Sequence, residues 1–329
     1  MKPYRIAVNM EWTSKCNARC VMCPQHLIGD RRLMTEETFR TALDRLSPSE
    51  VFRVVLAGYG EPTTHPRFMD MVTAIGDHPV RFDMVTNGQE LDLERLQHLD
   101  GRIDLMMVSF SSVDPDVYGR VHVNLDHERV KQNIRLAQRT FTRTRLGISL
   151  TPLAECLDAL PQTIHWLRDQ GVAVVTMSPT LYNRGGTMRD HEVATRRLRS
   201  TIAEYGLRSQ ELDFIPSLGD IVRQYRANRF KCMPRNSDMF ITSGGDYLYC
   251  YNDIGHRHCI GHVRDMGLRQ ALSLRERSHP IEELCGDCNM RGRYGAREIV
   301  QVGAEYLAGR ISAGLAGPKV SSASPCGLQ

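Results

Sequence analysis

Six apolar, β-branched runs recur along the first half of the chain. They are RIAVNME (5–11), VFRVVLAGYG (51–60), VRFDMVTNG (80–88), IDLMMVSFSS (103–112), RLGISLTPL (145–153) and VAVVTMSP (172–179). Continuous apolar runs are typical of parallel strands that are buried on both faces of a sheet. The pattern therefore predicts six parallel strands.

Helical periodicity fills the gaps between these runs. The predicted helices are TEETFRTALDRL (35–46), HPRFMDMVTAIG (65–76), LDLERLQHL (91–99), HERVKQNIRLAQRT (127–140) and LDALPQTIHWLRDQG (157–171). Thr35, followed by Glu36 and Glu37, is a capping signal for the first of them. Repeated strand–helix units predict an α/β fold, a partial (β/α)6 TIM-like barrel, whose chemistry lies at the C-terminal ends of the strands.

Composition and charge are ordinary. Of 329 residues, 41% are apolar and 24% charged, and the net charge of +4 comes with scattered arginines. This excludes a dedicated nucleic-acid binder. The N-terminus has no signal-peptide pattern, and no run of 18 apolar residues occurs. We expect a cytoplasmic protein with neither nucleic acid nor membrane as a partner.

The chain has ten cysteines. In a cytosolic protein these are not expected to form disulfides, because that compartment keeps thiols reduced. Seven of them fall into two groups, which suggests two metal sites. The first group has the spacing C-x3-C-x2-C and follows the first strand. A structural zinc site needs four protein ligands, whereas three thiolates leave one metal position open. Iron–sulfur clusters take cysteines at about this density. The group comprises Cys16, Cys20 and Cys23.

This motif resembles that of the radical S-adenosylmethionine (radical SAM) superfamily. The resemblance implies a [4Fe–4S] cluster held by the three thiolates, with its open iron binding the amino and carboxylate groups of SAM. It also implies reductive cleavage of SAM to a 5′-deoxyadenosyl radical, which abstracts hydrogen from a substrate. The electron would come from a reductant such as flavodoxin or ferredoxin.

The strand ends add to this resemblance. Gly58, Gly60 and Glu61 in AGYGEP resemble the family's Gly-Gly-Glu motif, with Tyr59 in place of the middle glycine. An acidic residue suits the cationic ammonium of SAM. Hydroxyls, amides and backbone at the later strand ends are expected to contact its carboxylate, ribose and adenine. These further cofactor-binding residues are Thr86, Asn87, Ser109, Ser111 and Met177, the last followed by Ser178, Pro179 and the stretch 183–186.

A second group of four cysteines can supply all four protein ligands of a metal site. Its members are Cys232, Cys250, Cys285 and Cys288. A structural zinc ribbon is one interpretation. The spacing C-x12-G-x4-C, with a predicted β-hairpin at GGDYLYC, resembles the start of a SPASM-type extension, whose truncated form is the Twitch domain. That resemblance implies an auxiliary [4Fe–4S] cluster.

These features divide the chain into four predicted regions. They are a radical SAM partial barrel (1–200), a helical linker (201–230), a Twitch/SPASM-like auxiliary-cluster domain with a β-hairpin and helix (231–292), and a C-terminal helix with a soft tail (293–329). Three cysteines remain. Cys156 is expected to be a buried structural thiol, and Cys326, in the tail, to have no role. Cys259 could be inert, an alternative cluster ligand or a hydrogen donor to a substrate radical.

Relatives with this extension mature ribosomal peptides or modify sugars and aminocyclitols of antibiotic pathways. Peptide-modifying relatives often carry an N-terminal leader-recognition domain, and the first strand begins here at residue 5. We therefore expect a small sugar or aminoglycoside substrate. Candidate polar contacts are Glu155, Asn183, Arg184, Asp253 and His256.

Three outcomes follow from hydrogen abstraction. Hydrogen return from Cys259 to the opposite face gives an epimer. Loss of an electron to the auxiliary cluster, together with a proton, gives a carbonyl. Peptide maturation, for instance thioether formation, is a third class. The sequence favours the epimerase narrowly, because of Cys259. A non-enzymatic alternative, a zinc-binding structural or nucleic-acid-binding module, conflicts with the six strand–helix units and with the order of the residues that resemble a SAM site.

Overall fold

The computed structural model describes residues 4–178, 192–227, 232–286, 288 and 296–315. In this part of the chain, ten strands form one sheet with the order β10-β9-β8-β1-β2-β3-β4-β5-β6-β7. The strands are β1 (Ile6–Met10), β2 (Val51–Leu56), β3 (Phe82–Thr86), β4 (Leu105–Ser109), β5 (Arg145–Leu150), β6 (Val174–Met177), β7 (Arg208–Ser209), β8 (Asp238–Ile241), β9 (Asp246–Leu248) and β10 (Cys259–His262).

The six predicted strands are β1 to β6, and each pairs in parallel with the next. The sheet does not close, since β7 and β10 are its two edges. Parallel strands with intervening helices and open edges confirm the predicted α/β partial barrel. Their carboxyl ends meet at one rim, so the residues that follow β1 to β6 lie near one another.

Helices connect the strands. They are α1 (Glu36–Asp44), α2 (Phe68–Gly76), α3 (Leu93–Leu99), α4 (Pro115–Val121), α5 (His127–Thr140), α6 (Ala154–Asp158), α7 (Leu160–Asp169), α8 (Glu192–Glu204), α9 (Leu218–Ala227), α10 (Met233–Ser237), α11 (Leu268–Arg277), α12 (Glu282–Cys285) and α13 (Ala296–Leu315). Thr35 caps α1 as predicted, accepting a hydrogen bond from Thr38 N at 3.2 Å. Among the described residues, no helix is long and apolar enough to span a bilayer.

The single helix predicted over 157–171 is instead two helices, α6 and α7. Pro161 lies in the first turn of α7. Proline lacks an amide hydrogen and its ring clashes with the preceding turn, so it favours a helix start over a helix interior. Helix α4, which begins with Pro115 after the Asp114 cap, was not predicted.

The main core lies between the sheet and its covering helices. Apolar residues of β1 to β6 pack against the inward faces of α1, α2, α3, α5 and α7, and the largest fully buried side chains include Trp12, Phe82, Phe110 and Tyr118. A separate small core contains Ile215, Ile221 and Val302. Burial of apolar surface on this scale is the dominant stabilising term, at roughly 25 cal/mol per Å².

The C-terminal part of the chain continues the same sheet. Strand β8 pairs in parallel with β1, and β8 and β9 form the predicted antiparallel hairpin. Its turn contains Gly245 at φ +96, where an added Cβ would lie 2.7 Å from the His262 ring. Strand β10 then extends the edge. The boundaries predicted at residues 200 and 231 stay predictions.

Candidate functional site

The first cysteine group lies on a loop that leaves the sheet after β1 and returns at α1. Hydrogen bonds from Ser14 N to Arg32 O (3.0 Å) and from Met34 N to Trp12 O (2.9 Å) close its base. The Trp12 ring is buried edge-on against two phenylalanines. The loop is therefore anchored at both ends. Between the anchors lie the partly buried thiols of Cys16, Cys20 and Cys23.

These thiols are close enough to affect one another's ionisation. Burial, with smaller contributions from Glu61 and Cys23, raises the pKa of Cys16 to about 11. Burial, with contributions from Cys23 and Cys16, raises the pKa of Cys20 to about 12. Neighbouring positive charge lowers a thiol pKa, and metal binding removes the proton outright. The donor set thus fits an iron–sulfur cluster, in which thiolates bind iron.

Among the described residues, no three His, Cys, Asp or Glu side chains converge closely enough to hold one metal ion.

Two glycines bring the end of β2 against the cysteine loop. A Cβ on Gly60 would lie 2.0 Å from the carbonyl oxygen of Thr13 and 2.5 Å from that of Lys15. A Cβ on Gly58 would lie 2.5 Å from Cγ of Glu11. Side chains at either position would displace backbone or a buried carboxylate, so the absence of a Cβ permits this contact.

Glu11 was not among the predicted site residues. Its Oε2 accepts a hydrogen bond from Tyr59 N at 2.9 Å, and its Oε1 accepts from Ser243 Oγ at 3.0 Å. Glu11 is 1% exposed. The available signal was a carboxylate placed directly after a buried strand, where it joins the predicted SAM motif to the β8–β9 turn.

Glu61 is buried and fully engaged. Its Oε1 accepts from the hydroxyls of Thr63 (2.6 Å) and Thr86 (2.7 Å), and its Oε2 accepts from Asn87 N at 2.7 Å. Burial raises the pKa of Glu61, and these donors oppose that shift. The carboxylate therefore joins the ends of β2 and β3, close to Cys16.

Asn87 extends this connection into the cysteine loop. Its Nδ2 donates to Asn17 Oδ1 at 2.7 Å, and Asn17 Nδ2 donates to Glu90 Oε1 at 3.2 Å. Thr86 and Asn87 are both buried. The structure thus brings Glu61, Thr86 and Asn87 together beside the cysteine motif.

The other predicted cofactor contacts are placed differently. Ser109 ends β4, in register with Ser149 of β5. Ser111 is buried, with Oγ 2.7 Å from Nε2 of His122. The Met177 side chain is 1% exposed and belongs to the main core. Pro179 and the stretch 183–186 lie outside the described residues.

The members of the second cysteine group also lie near one another. Burial raises the pKa of Cys232 to about 12, with contributions from Cys288 and Cys285. Burial and then Cys232 raise the pKa of Cys250. Asn252 donates from its backbone to Cys250 Sγ (3.4 Å) and from its side chain to Cys288 Sγ (3.6 Å). Cysteine thiolates are the donor type of both a four-cysteine cluster and a zinc site, but among the described residues these four thiols do not converge closely enough to hold a single metal ion.

A cavity of about 300 Å³ opens inside the curve of the sheet. Its wall includes Gly58 and Tyr59 from the predicted SAM motif and Tyr251 and Asn252 from the second cysteine region. The Tyr59 hydroxyl donates to the Tyr251 carbonyl, which joins the two regions directly. Polar groups on the strands, and Gln210 directly after β7, complete the wall; the strand residues are Asn9, Arg53, Ser149, Thr176 and Asp238.

Asp238 was not predicted and is the most unusual of these groups. It is 3% exposed, Asn9 Nδ2 donates to its Oδ2, and its Oδ1 has no partner among the described residues. Burial raises the pKa of Asp238 to about 7, against the opposing charges of Arg275 and Arg53.

Cys259 lies apart from this cavity. It begins β10 at the sheet edge, its side chain is exposed, and its Sγ lies 3.5 Å from His256 O. It is not among the residues that line the cavity. The predicted role of hydrogen donor stays a prediction.

The candidate substrate contacts have partners elsewhere. Half-buried Glu155 pairs with Arg120 at 3.1 Å. Asp253 is buried and accepts from the backbones of Arg257 and His258. His256 has φ +52 and packs near Tyr59. Asn183, Arg184 and Cys326 lie outside the described residues.

Residues 10–167 match the family model described as the Radical SAM superfamily. A tungsten-containing aldehyde ferredoxin oxidoreductase cofactor-modifying protein of Pyrococcus furiosus is 29% identical over 180 residues, covering 52% of this chain and 51% of that protein. The chain spans about half the length of the curated relatives it matches.

Two solved structures share the fold. Streptococcus suis SuiB bound to precursor peptide SuiA has a TM-score of 0.66 at 14% identity, covering 87% of this chain and 70% of SuiB. BtrN in complex with AdoMet and 2-DOIA has a TM-score of 0.50 at 18% identity, covering 88% of this chain and 94% of BtrN.

Proposed function

Because residues 10–167 match the Radical SAM superfamily model, we propose that this protein is a radical SAM enzyme that oxidises a carbon bearing oxygen or nitrogen in a small polar substrate. When bound, SAM and a cluster at the first cysteine group would supply the radical that removes one hydrogen atom, a cluster at the second group would accept the second electron, and the remaining proton would leave to solvent. The chain's own residues hold these groups and the substrate in one place.

One observation carries the proposal. The cavity of about 300 Å³ is lined both by the predicted SAM motif, through Gly58 and Tyr59, and by the second cysteine region, through Tyr251 and Asn252. Its volume lies at the small end of the range for small-molecule sites, which is about 300–1,000 Å³. A substrate in it would lie between the two cysteine groups.

Polar groups in the cavity favour a substrate rich in hydroxyls or amines. Gln210 Nε2 is shared between Ser149 Oγ (2.8 Å) and Thr176 Oγ1 (3.2 Å), which orders one wall. On another wall, Oδ1 of Asp238 has no protein donor in the described part of the chain. A buried acceptor without a partner costs about 1–3 kcal/mol, so a substrate O–H or N–H at Asp238 would restore that energy.

Oxidation agrees better with the geometry than epimerisation. A thiol that returns hydrogen must reach the substrate carbon, and Cys259 is exposed on β10 and does not line the cavity. Asn252, in contrast, lines the cavity and hydrogen-bonds to two thiols of the second group, Cys250 and Cys288. A cluster held by those cysteines would therefore lie next to the cavity wall at Asn252 and would supply an electron acceptor there.

Turnover in deuterated water tests this function. The purified full chain, with both clusters reconstituted, is mixed anaerobically with SAM, dithionite and an aminocyclitol such as 2-deoxystreptamine. Oxidation gives 5′-deoxyadenosine and a product two mass units lighter than the substrate, whereas epimerisation gives an isomer carrying one deuterium. A chain that forms no 5′-deoxyadenosine under any reducing condition would contradict the radical SAM function altogether.

Cys259→Ala separates the two chemistries further. If the chain catalyses this dehydrogenation, the variant keeps its iron content, cleaves SAM and forms the oxidised product. Retained SAM cleavage with loss of an inverted product would instead assign the hydrogen-donor role to Cys259.

A further inference from the structure

His122 directly follows α4 and is buried beside the first cysteine group. Its side chain is 1% exposed. The ring places Nδ1 3.4 Å from Sγ of Cys20 and Nε2 2.7 Å from Oγ of Ser111. One imidazole therefore connects a predicted cluster ligand with a hydroxyl that follows β4.

The backbone fixes this arrangement. The residues on either side of Cys20 pair with those on either side of His122, since Arg19 N donates to Val123 O at 2.9 Å and Val21 N donates to Val121 O at 3.0 Å. Two bonds that flank the contact hold the Cys20 and His122 backbones opposite each other. The approach of Nδ1 to the sulfur thus follows from main-chain pairing and not from a freely rotating side chain.

Packing restricts the ring further. The Tyr118 ring lies against His122, with centroids 4.7 Å apart and planes inclined by 32°. Tyr118 is itself fully buried, and its hydroxyl has no hydrogen-bond partner in the described part of the chain. Because bulk water is excluded, a hydrogen bond from the ring to sulfur is not weakened by competition with solvent.

The direction of the hydrogen bonds follows from the chemistry of the partners. A thiolate carries no proton, so Nδ1 must be the donor once Cys20 binds metal. In the neutral ring, Nε2 is then an acceptor, and the Ser111 hydroxyl donates to it.

We propose that His122 is a positioning residue that donates an N–H to the Cys20 thiolate and thereby raises the reduction potential of the cluster bound there. The inference rests on the proposed function only in taking Cys20 as a cluster ligand. Reduction adds negative charge to the cluster, and a donor to a ligand sulfur stabilises that charge. Loss of the donor is therefore expected to make the cluster harder to reduce.

Two amide variants test the donor at nearly constant polarity. In His122→Asn the side-chain amide nitrogen takes approximately the place of Nδ1, whereas in His122→Gln it takes that of Nε2 and reaches Ser111. The full chain is reconstituted, and the midpoint potential of the cluster whose EPR spectrum responds to SAM is measured by redox titration. We expect a potential near wild type for His122→Asn and a lower one for both His122→Gln and His122→Phe.

Tyr118→Phe is the matched control. It keeps the ring that packs on His122 and removes only a hydroxyl without a described partner, so the potential should not move. Equal potentials in His122→Asn and His122→Gln, with iron content unchanged, would overturn the inference. If His122→Phe loses iron, the difference in midpoint potential between His122→Asn and His122→Gln still tests whether an N–H at the Nδ1 position raises the potential. Absence of any SAM-responsive signal in the wild type would refute the proposed function instead.

Discussion

The backbone N–H of Asn87 donates to Oε2 of Glu61 at an N···O distance of 2.7 Å, across the ends of β3 and β2. Oε1 of the same carboxylate accepts from Thr63 and Thr86. Glu61 therefore orders two neighbouring strand ends beside the cysteine loop. Its predicted contact with the SAM ammonium stays a prediction. In addition, the hydrogen bonds of Glu61 connect the ends of β2 and β3, so this carboxylate also has a structural role.

Glu61→Gln is expected to destabilise the fold. The amide replaces one acceptor oxygen with an N–H₂ group, which then faces either the Asn87 N–H or the two threonine hydroxyls. A buried donor left unsatisfied costs about 1–3 kcal/mol, and urea denaturation of the reconstituted chain would measure it. Glu128→Gln is the control, because the Glu128 side chain is 61% exposed. Equal losses in the two variants would contradict the structural role of Glu61.

Gly60→Ala tests the close contact between β2 and the cysteine loop. The added methyl group would lie 2.0 Å from the Thr13 carbonyl oxygen, so the backbone must shift. Overpacking of this kind costs about 1–3 kcal/mol, and we expect a lower melting temperature together with less iron per chain. Gly29→Ala lies on the same loop with nothing within 4 Å of its Cβ and should behave as wild type. Equal melting temperatures and iron contents in Gly60→Ala and Gly29→Ala would contradict the close contact between the end of β2 and the cysteine loop.

Replacement of Cys16, Cys20 or Cys23 by alanine should abolish 5′-deoxyadenosine formation, because each is predicted to hold one iron of the open cluster. The measurement is chromatography of SAM products under dithionite, with iron and sulfide assayed on the same sample. Cys156→Ala is the control for thiol loss. Normal SAM cleavage in any of the three variants would contradict the assignment of that cysteine.

The second cysteine group has a distinct signature. Replacing Cys232 or Cys285 by alanine should leave about one cluster's worth of iron per chain and lower the stability of the C-terminal part, because metal binding and folding are coupled at such sites. Metal analysis of the wild-type protein comes first. Zinc in stoichiometric amount, with iron for one cluster only, would assign the four thiols to a structural zinc site.

Much of this architecture could be predicted from local patterns. Strands buried on both faces produce unbroken apolar runs, and the C-x3-C-x2-C loop follows the first of them, so β1 to β6 and the cysteine loop needed no long-range information. The hairpin of β8 and β9 was also marked by Gly245 in its turn. Such features depend on residues within about ten positions of one another.

The missed residues depend on partners far away in the chain. Asp238 is held by Asn9, and Glu11 by Ser243, pairs separated by 229 and 232 residues. His122 meets Cys20 only because α4 ends beside the loop. In the sequence each is a single polar residue near an apolar run, and nothing local distinguishes it from a surface position. Ser111 was singled out, but its contact with His122 could not be foreseen.

Asp238 gives a prediction about pH. Its pKa in the folded chain is about 7, compared with 3.8 for an ordinary aspartate, chiefly because of burial. Between these values the folded state keeps a proton that the unfolded state has released. This group's contribution to stability is therefore full at low pH, falls as the pH rises toward 7, and is constant above it. The expected slope is about 1.4 kcal/mol per pH unit.

Asp238→Asn removes this titration, so the difference in unfolding free energy between wild type and variant should fall from pH 5 to 7 and then level off. Urea denaturation at intervals from pH 5 to pH 9 measures that difference, and effects common to both proteins, including those of the thiols, cancel. Asp100→Asn is the control. Burial alone would raise the pKa of Asp100, but hydrogen bonds from Thr142, Arg143 and Thr144 outweigh it and lower the pKa to about 2, so that difference should be flat above pH 5. A flat difference for Asp238→Asn as well would mean that its carboxylate is already charged, with a partner that the folded chain supplies to Oδ1.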